Sequence, residues 1–174
     1  MTWLPDQTLA DFVTVARLAG VSLATDDIRI GALPAPHAPP TRLPAGQMAV
    51  YVSTHGRDVL KVGKVGPKSQ ARYTSQHYNP GSAQSTLAAS MIADAECIGL
   101  GEADRAEIGN WIRLNVDRVN ILLPASLGIP VLTLLESFLQ CRLRPRYEGF
   151  RSQRGCTLHD TKLVEGGEID STGR

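Results

Sequence analysis

Two neighbouring segments of the chain, 48–53 and 59–65, are short and mainly apolar. Short apolar runs bounded by turn residues are typical of β-strands, in which successive side chains lie on opposite faces of the sheet. The residues between the two segments, 55–58, are polar and include a glycine, which is typical of a turn. The pattern therefore predicts a β-hairpin whose first strand places Ala49, Tyr51 and Ser53 on one face.

Other parts of the chain show helical spacing, with apolar residues three or four positions apart. Such spacing, together with Asp6 as a cap and Gly20 as a stop, predicts a first helix. Proline near the first turn favours helices that begin at Pro67 and Pro130. The full prediction has helices at 6–20, 67–77, 82–94, 104–115 and 129–141, and further short strands at 95–99 and 118–123.

Five prolines lie between residues 32 and 44. Because proline lacks an amide donor and has a fixed φ, this composition predicts an extended strap. We expect residues 1–44 to form an N-terminal helix with a proline-rich strap, 45–150 to form the main domain, and 151–174 to form a flexible tail. The order of elements predicts an α+β fold, with a small antiparallel sheet of about three strands flanked by helices.

The chain has 174 residues and an apolar fraction of 43%, enough to build a hydrophobic core. We find neither an apolar run of the roughly 20 residues that span a bilayer nor an export signal at the N-terminus. The three cysteines form no CxxC pair, which favours inert thiols in a reducing compartment. These observations predict a cytoplasmic protein that does not bind membranes.

The net charge is only +1, but basic residues are unevenly distributed. Between residues 42 and 78, six Lys or Arg residues accompany one acidic residue, and between 138 and 154 five arginines accompany one. If both segments lie on one face of the molecule, they would form a local phosphate-binding surface.

The hairpin carries Ala49-Val50-Tyr51 on its first strand and Lys61-Val62-Gly63 on its second. With Arg72 on the next helix and Glu136 on a later one, this order resembles the GIY-YIG nuclease family. In that family a tyrosine on the first strand faces an aromatic residue or a lysine on the second. An arginine and a metal-binding glutamate follow on helices. The resemblance extends from about Gly46 to Gly149.

The resemblance implies an endonuclease, a hydrolase that cleaves DNA phosphodiester bonds with Mg²⁺ or Mn²⁺. Tyr51, with Lys61 beside it to favour the phenolate, would activate a water molecule. Arg72 would bind the attacked phosphate, and a magnesium ion on Glu136 would polarise it. His77 lies where family members often place a second polar catalytic residue. The predicted DNA-binding residues are Lys64, Lys68, Gln76, Arg144 and Arg146.

The chain also departs from the family pattern. Alanine replaces the first glycine at position 49, lysine replaces tyrosine at position 61, and no asparagine follows Asn120, although the family usually has one after the late helix. Two alternatives therefore stay open. One is a catalytically inactive GIY-YIG-like module that binds nucleic acid or protein. The other is a partner-dependent defence or effector component, in which residues 1–44 dock a protein partner, or a homodimer supplies target specificity.

Each of these residues also has a simpler interpretation. Tyr51 could pack against the aliphatic stem of Lys61, and Glu136 could lie on the solvated edge of its helix. Arginines after a helix also complement its dipole, which would explain Arg144 and Arg146 without DNA.

Overall fold

The computed structural model describes residues 3–83 and 86–147, so the predicted tail at 151–174 lies outside the described residues. One antiparallel sheet of four strands runs through this part of the chain, in the order β1-β4-β2-β3. The coarse prediction of an α+β fold with an antiparallel sheet is confirmed, but the sheet has one strand more than expected. The strands are β1 (Arg29–Leu33), β2 (Gln47–His55), β3 (Asp58–Val65) and β4 (Asp117–Pro124).

Six α-helices occur in the described residues, and short 3₁₀ turns lie at Thr25–Asp27, Gln76–Tyr78 and Ala125–Leu127. The longest helices are the first and the last, which correspond to the two most regular apolar patterns in the sequence. The helices are α1 (Pro5–Leu18), α2 (Gln70–Thr74), α3 (Leu87–Ala93), α4 (Glu102–Ala106), α5 (Ile108–Asn115) and α6 (Gly128–Leu143).

The predicted hairpin is formed by β2 and β3, with Gly56 in its turn. Gly56 has φ +58°, a left-handed conformation that glycine adopts without steric cost. Near the turn, the register shifts between Ser53 and Thr54, so that Ser53 faces Lys61 and Thr54 faces Val59. This bulge leaves Leu60 as the extra residue of β3, and Leu60 packs on the side opposite to Val59.

The two faces of the sheet carry different layers. On one face, α1 and α6 cover Met48, Val50 and Val52, and the helical residues Phe12, Leu132 and Leu135 are among those that complete this main core. On the other face, α2 and the turn at Gln76–Tyr78 lie over Tyr51, while α3 and α5 form a second core around Leu60. The side of the sheet on which each helix packs determines which of the predicted site residues can meet.

Residues 3–44 are integrated into this architecture. Helix α1 packs into the main core, and β1 pairs with β4 along its whole length. The proline-rich strap after β1 has no regular structure, as expected, but it is bound to the domain. The backbone amide of His37 donates to the carbonyl of Arg113 over 2.9 Å, and the amide of Ala35 donates to Oδ1 of Asp117 over 2.8 Å.

Several details differ from the sequence-based predictions. Residues 95–99 form turns after α3 instead of a strand, and the helix predicted for 67–77 is a short α-helix followed by a 3₁₀ turn. Cys97 is disulfide-bonded, so the prediction of inert thiols is wrong for it, whereas Cys141 is a free and exposed thiol. No helix in the described part of the chain is long and apolar enough to cross a membrane.

Candidate functional site

Tyr51 lies directly over Gly63 on the face of the hairpin that α2 covers. The two residues are register partners in β2 and β3. A Cβ atom at position 63 would lie 2.1 Å from Oη and 2.5 Å from Cζ of Tyr51, far inside van der Waals contact. Only glycine fits there, which gives a physical reason for the tyrosine and the glycine in the two hairpin triplets.

Lys61 lies on the same face as Tyr51, because its register partner is Ser53 and side chains two positions apart share a face. Alternation within each strand left this shared face open, because it depends on the register between the strands. Both side chains are buried, with 1% of Tyr51 and none of Lys61 exposed. Their roles in catalysis stay predictions, because a buried phenol and a buried ammonium do not meet a large substrate without movement of the elements above them.

Arg118 of β4 is the main member of this site that the sequence analysis missed. Its register partner in β2 is Ser53, which places it beside Lys61 on the same face. Its guanidinium lies 5.2 Å from the ring centroid of Tyr51 and 5.3 Å from that of Tyr73, within the range of cation–π attraction. Arg118 therefore links β4 to Tyr51 on β2 and to Tyr73 on α2.

A sequence signal for Arg118 was present. Arg118 and Asn120 are polar residues two positions apart in an otherwise apolar strand, which places them on one face. In the structure, Nε of Arg118 donates to Oδ1 of Asn120 over 2.9 Å. The alternation alone could not show that this face is the one carrying Tyr51, because that depends on which strand pairs with β4.

His77 packs against Tyr51, with ring centroids 4.3 Å apart. It is 5% exposed. Burial, and then the positive charges of Arg118, Lys61 and Arg72, lower the pKa of His77 to about 2. The ring is therefore neutral near pH 7. A base with such a low pKa is a poor proton carrier, which argues against an acid–base role for His77.

Helix α2 presents the exposed basic residues of the predicted site. Arg72 and Lys68 are exposed, and Gln76 is half-buried at the start of the following 3₁₀ turn. The effect of Arg72 on the pKa of His77 shows that its charge acts on the buried cluster. Tyr73 points inward instead, and burial raises its pKa while Arg118 opposes that shift. Arg72 is therefore the one predicted catalytic residue on this face that solvent reaches freely.

Glu136 is separated from this cluster. It lies on α6, whose buried residues pack against Val50 and Val62 on the opposite face of the sheet. Its Oε2 accepts a hydrogen bond of 2.6 Å from Nζ of Lys64, which the register places opposite Val50. The structure therefore brings Tyr51, Lys61 and His77 together on one face of the sheet. Glu136 pairs with Lys64 of the edge strand β3 on the opposite face.

The described residues do not form a metal site around Glu136. Within residues 3–83 and 86–147, no group of three or more His, Cys, Asp or Glu side chains could hold an ion. The carboxylate of Glu136 is already neutralised by Lys64, and Mg²⁺ would have to displace that ammonium. Magnesium binding by Glu136 therefore stays a prediction, and no catalytic step is derived from it.

The two arginines predicted to bind DNA after α6 have different environments. Arg144 is exposed and has φ +48°, so its side chain is available to an anionic partner. Arg146 instead forms an ion pair with Asp94, and Asp94 also accepts a hydrogen bond of 3.1 Å from the hydroxyl of Tyr147. The hydrogen bond that Nε of Arg146 itself donates to Oδ2 of Asp94 raises the pKa of Arg146. The contacts of Arg146 thus stabilise the end of the described chain.

A groove away from Tyr51 has a volume of about 250 Å³. It lies at the end of the sheet near the hairpin turn, where Trp3 and Arg57 contribute to a mainly apolar lining. None of the predicted catalytic residues lines it. The groove therefore adds no support to the predicted site.

Comparison with known proteins returns no matching family model, no matching curated protein and no matching solved structure. The resemblance to the GIY-YIG family therefore stays a prediction that depends on the residues quoted above.

Proposed function

We propose that this chain is an endonuclease domain that acts on the phosphodiester backbone of DNA through the sheet face carrying Tyr51. The observation that carries the proposal is the fit of Tyr51 over Gly63, with Lys61 on the same face. If the hairpin is that of a GIY-YIG nuclease, Tyr51 and Lys61 are the residues expected to act together; Lys61 lies diagonally from Tyr51, whose direct register partner is Gly63.

The charges around this face support an anionic substrate. Lys61, Arg72 and Arg118 all act on His77 with positive charge, and Lys68 and Arg72 are exposed beside them. Guanidinium groups donate two parallel hydrogen bonds to phosphate oxygens and stabilise charge that develops there. In this proposal Arg72 binds the phosphate first, since it is the solvent-exposed member of the group.

Access is the main structural requirement of the proposal. Tyr73 and His77 cover Tyr51, so a phosphate reaches the phenol only if α2 and the following turn move away from the sheet. Once the phosphate lies beside the phenol, the Tyr51 hydroxyl would take part in proton transfer from water, with Lys61 beside it. His77 would hold the ring of Tyr51 in place and offer a neutral hydrogen-bonding group.

A second candidate is a DNA-binding module without cleavage activity, and a specific observation favours it. Tyr51 and Lys61 are buried, and Glu136 is ion-paired on the other side of the sheet. In that case Arg72, Lys68 and Arg144 would contact phosphates, and the buried cluster would only stabilise the fold.

The two candidates are separated by incubating the folded protein with supercoiled plasmid in the presence of Mg²⁺, Mn²⁺ or EDTA. The nuclease proposal predicts nicked or linear product, and a loss of about 10²- to 10³-fold in rate for Arg72→Ala. The matched control is Arg17→Ala, since Arg17 is exposed on α1, and its rate is expected to be unchanged.

A Glu136→Ala variant tests the metal prediction separately. Loss of metal-dependent cleavage would support Glu136 as a ligand, whereas unchanged cleavage would refute that role and leave the proposal on Arg72 standing. DNA binding by the parent protein without any product, with every metal, would support the non-cleaving module and contradict the nuclease.

A further inference from the structure

A small cavity lies between the sheet and the elements that cover Tyr51. Its volume is about 10 Å³, roughly the space required by the centre of one water-sized particle. Strands β2 and β4, α5 and the turn at Gln76–Tyr78 all contribute to its lining. The lining residues that bear on its chemistry are Tyr51, Ser53, His77 and Arg118.

Arg118 brings a buried positive charge to this cavity. It is 3% exposed, and its recorded hydrogen bonds go to neutral acceptors, Oδ1 of Asn120 over 2.9 Å and the carbonyl of Tyr73 over 2.8 Å. Among residues 3–83 and 86–147, no carboxylate forms an ion pair with it. A buried charge is ordinarily paired with an opposite charge, and the described residues supply no counter-ion for Arg118.

His77 adds an unsatisfied polar group to the same cavity. It is 95% buried, and neither Nδ1 nor Nε2 has a hydrogen-bond partner within the described chain. Buried polar atoms are nearly always hydrogen-bonded, often to a bound small ligand or water. Its neutral ring has one N–H that can donate, and the surrounding positive charges act against a cation in the same place.

We propose that the cavity binds a monatomic anion, chloride in ordinary salt solutions, between the guanidinium of Arg118 and the ring N–H of His77. Space for the centre of one water-sized particle favours a single small ion over phosphate or sulfate. The buried guanidinium favours an anion over a neutral water molecule. The site does not depend on the nuclease proposal, because it rests on burial, size and charge alone.

Crystals of the unmodified protein grown or soaked in sodium bromide give the most direct test, because bromide scatters anomalously. An anomalous peak within hydrogen-bond distance of Arg118 and His77 is the expected result. A water molecule at that position, or an empty cavity, with no anomalous signal at 0.5–1 M bromide (roughly the concentration that fills weak sites) would overturn the proposal.

Stability measurements in solution provide a second test. Unfolding by urea is compared in sodium chloride and sodium gluconate at equal ionic strength, so that general screening is matched. Above the dissociation constant, each tenfold increase in chloride should raise the folded-to-unfolded ratio about tenfold. The effect should vanish in His77→Phe and persist in Arg144→Gln, a control that removes an exposed arginine. Equal stability of the parent protein in the two salts would contradict chloride binding.

Discussion

The two faces of the central sheet carry the predicted catalytic residues in very different environments. One face carries a buried cluster in which the phenol of Tyr51 lies with the cations of Lys61 and Arg118 and the imidazole of His77. On the other face, Glu136 lies partly exposed on α6 and forms an ion pair with Lys64 at the edge strand. One face thus has buried positive charge, and the other has a locally neutralised carboxylate.

The positions of Tyr51, Lys61 and Glu136 show that the order of motif residues along the chain does not establish which of them meet in the fold. Residues on adjacent strands are placed relative to one another by register, so Tyr51 and Lys61 share a face as the alternation requires. A residue on a distant helix has no such constraint, because the side of the sheet that the helix covers depends on the connections before it. Glu136 follows Tyr51 in the expected order and still lies across the sheet.

Of the substitutions that test the difference between the two faces, Gly63→Ala is expected to have the largest effect. The new Cβ would overlap the buried ring of Tyr51, so the free energy of unfolding of the variant should be about 1–3 kcal/mol lower. The variant should also lose any function of the Tyr51 face. Gly31→Ala is the matched control, since Gly31 also lies in this sheet and its added Cβ would meet only the carbonyl of Asn120, at 3.9 Å. Urea denaturation of both variants measures the difference, and equal stabilities would refute the close packing of Tyr51 on Gly63.

The pH dependence of stability tests the burial of His77 with an effect of similar size. Its pKa is about 2 in the folded protein, against 6.5 as its ordinary value, so below pH 6.5 the unfolded chain binds a proton that the folded chain does not. Stability is therefore full above about pH 6.5 and falls as the pH decreases, by about 2 kcal/mol between pH 7 and pH 5.

His77→Asn should remove this part of the pH dependence, whereas His55→Gln, at an exposed histidine, should preserve it. Urea unfolding at the two pH values is the measurement. A parent protein and a His77→Asn variant with the same loss between pH 7 and pH 5 would show that His77 is not buried as described.

The smallest effect is expected from the Lys64–Glu136 pair on the opposite face. Both side chains are only partly buried, with 36% and 14% exposed, so a double-mutant cycle with Lys64→Met and Glu136→Gln should give a coupling of about 0.5–1 kcal/mol. The Arg142–Asp11 pair, with 52% and 39% exposed, is the control and should give a smaller coupling. A vanishing coupling for Lys64 and Glu136 would mean that the carboxylate is free for another partner.

Much of the fold followed from the sequence where apolar segments have clear boundaries. The β2–β3 hairpin and β4 are short apolar runs, and α6 is a longer apolar segment that begins near Pro130, so these elements form at the expected positions. Strand β1 was missed because Arg29–Leu33 has a weak pattern and runs into prolines, and it gains its order from pairing with β4. The strand predicted at 95–99 fails because Gly99, with φ +71°, turns the chain back and buries Leu100 beside Ala95.

The candidate site was predictable only in part, for a related reason. Alternation grouped Tyr51 with Ser53 on one face of the first strand, and Arg118 with Asn120 on one face of β4, but it did not fix which face of the second strand carries Lys61 beside Tyr51. The pairing of β4 with β2, which joins these two sets, is a contact between segments more than 60 residues apart. No local pattern encodes that contact, or the depth at which His77 and Arg118 are buried.

The central claim is that the Tyr51 hydroxyl, rather than the ring alone, acts on DNA, and plasmid cleavage by Tyr51→Phe tests it most directly. Phenylalanine keeps the ring over Gly63 and removes only the oxygen, so stability should change by no more than about 1 kcal/mol. The nuclease proposal predicts cleavage by the parent protein and a cleavage rate lower by about 10²-fold or more in the folded variant. Cleavage at the parental rate by Tyr51→Phe would contradict a catalytic Tyr51.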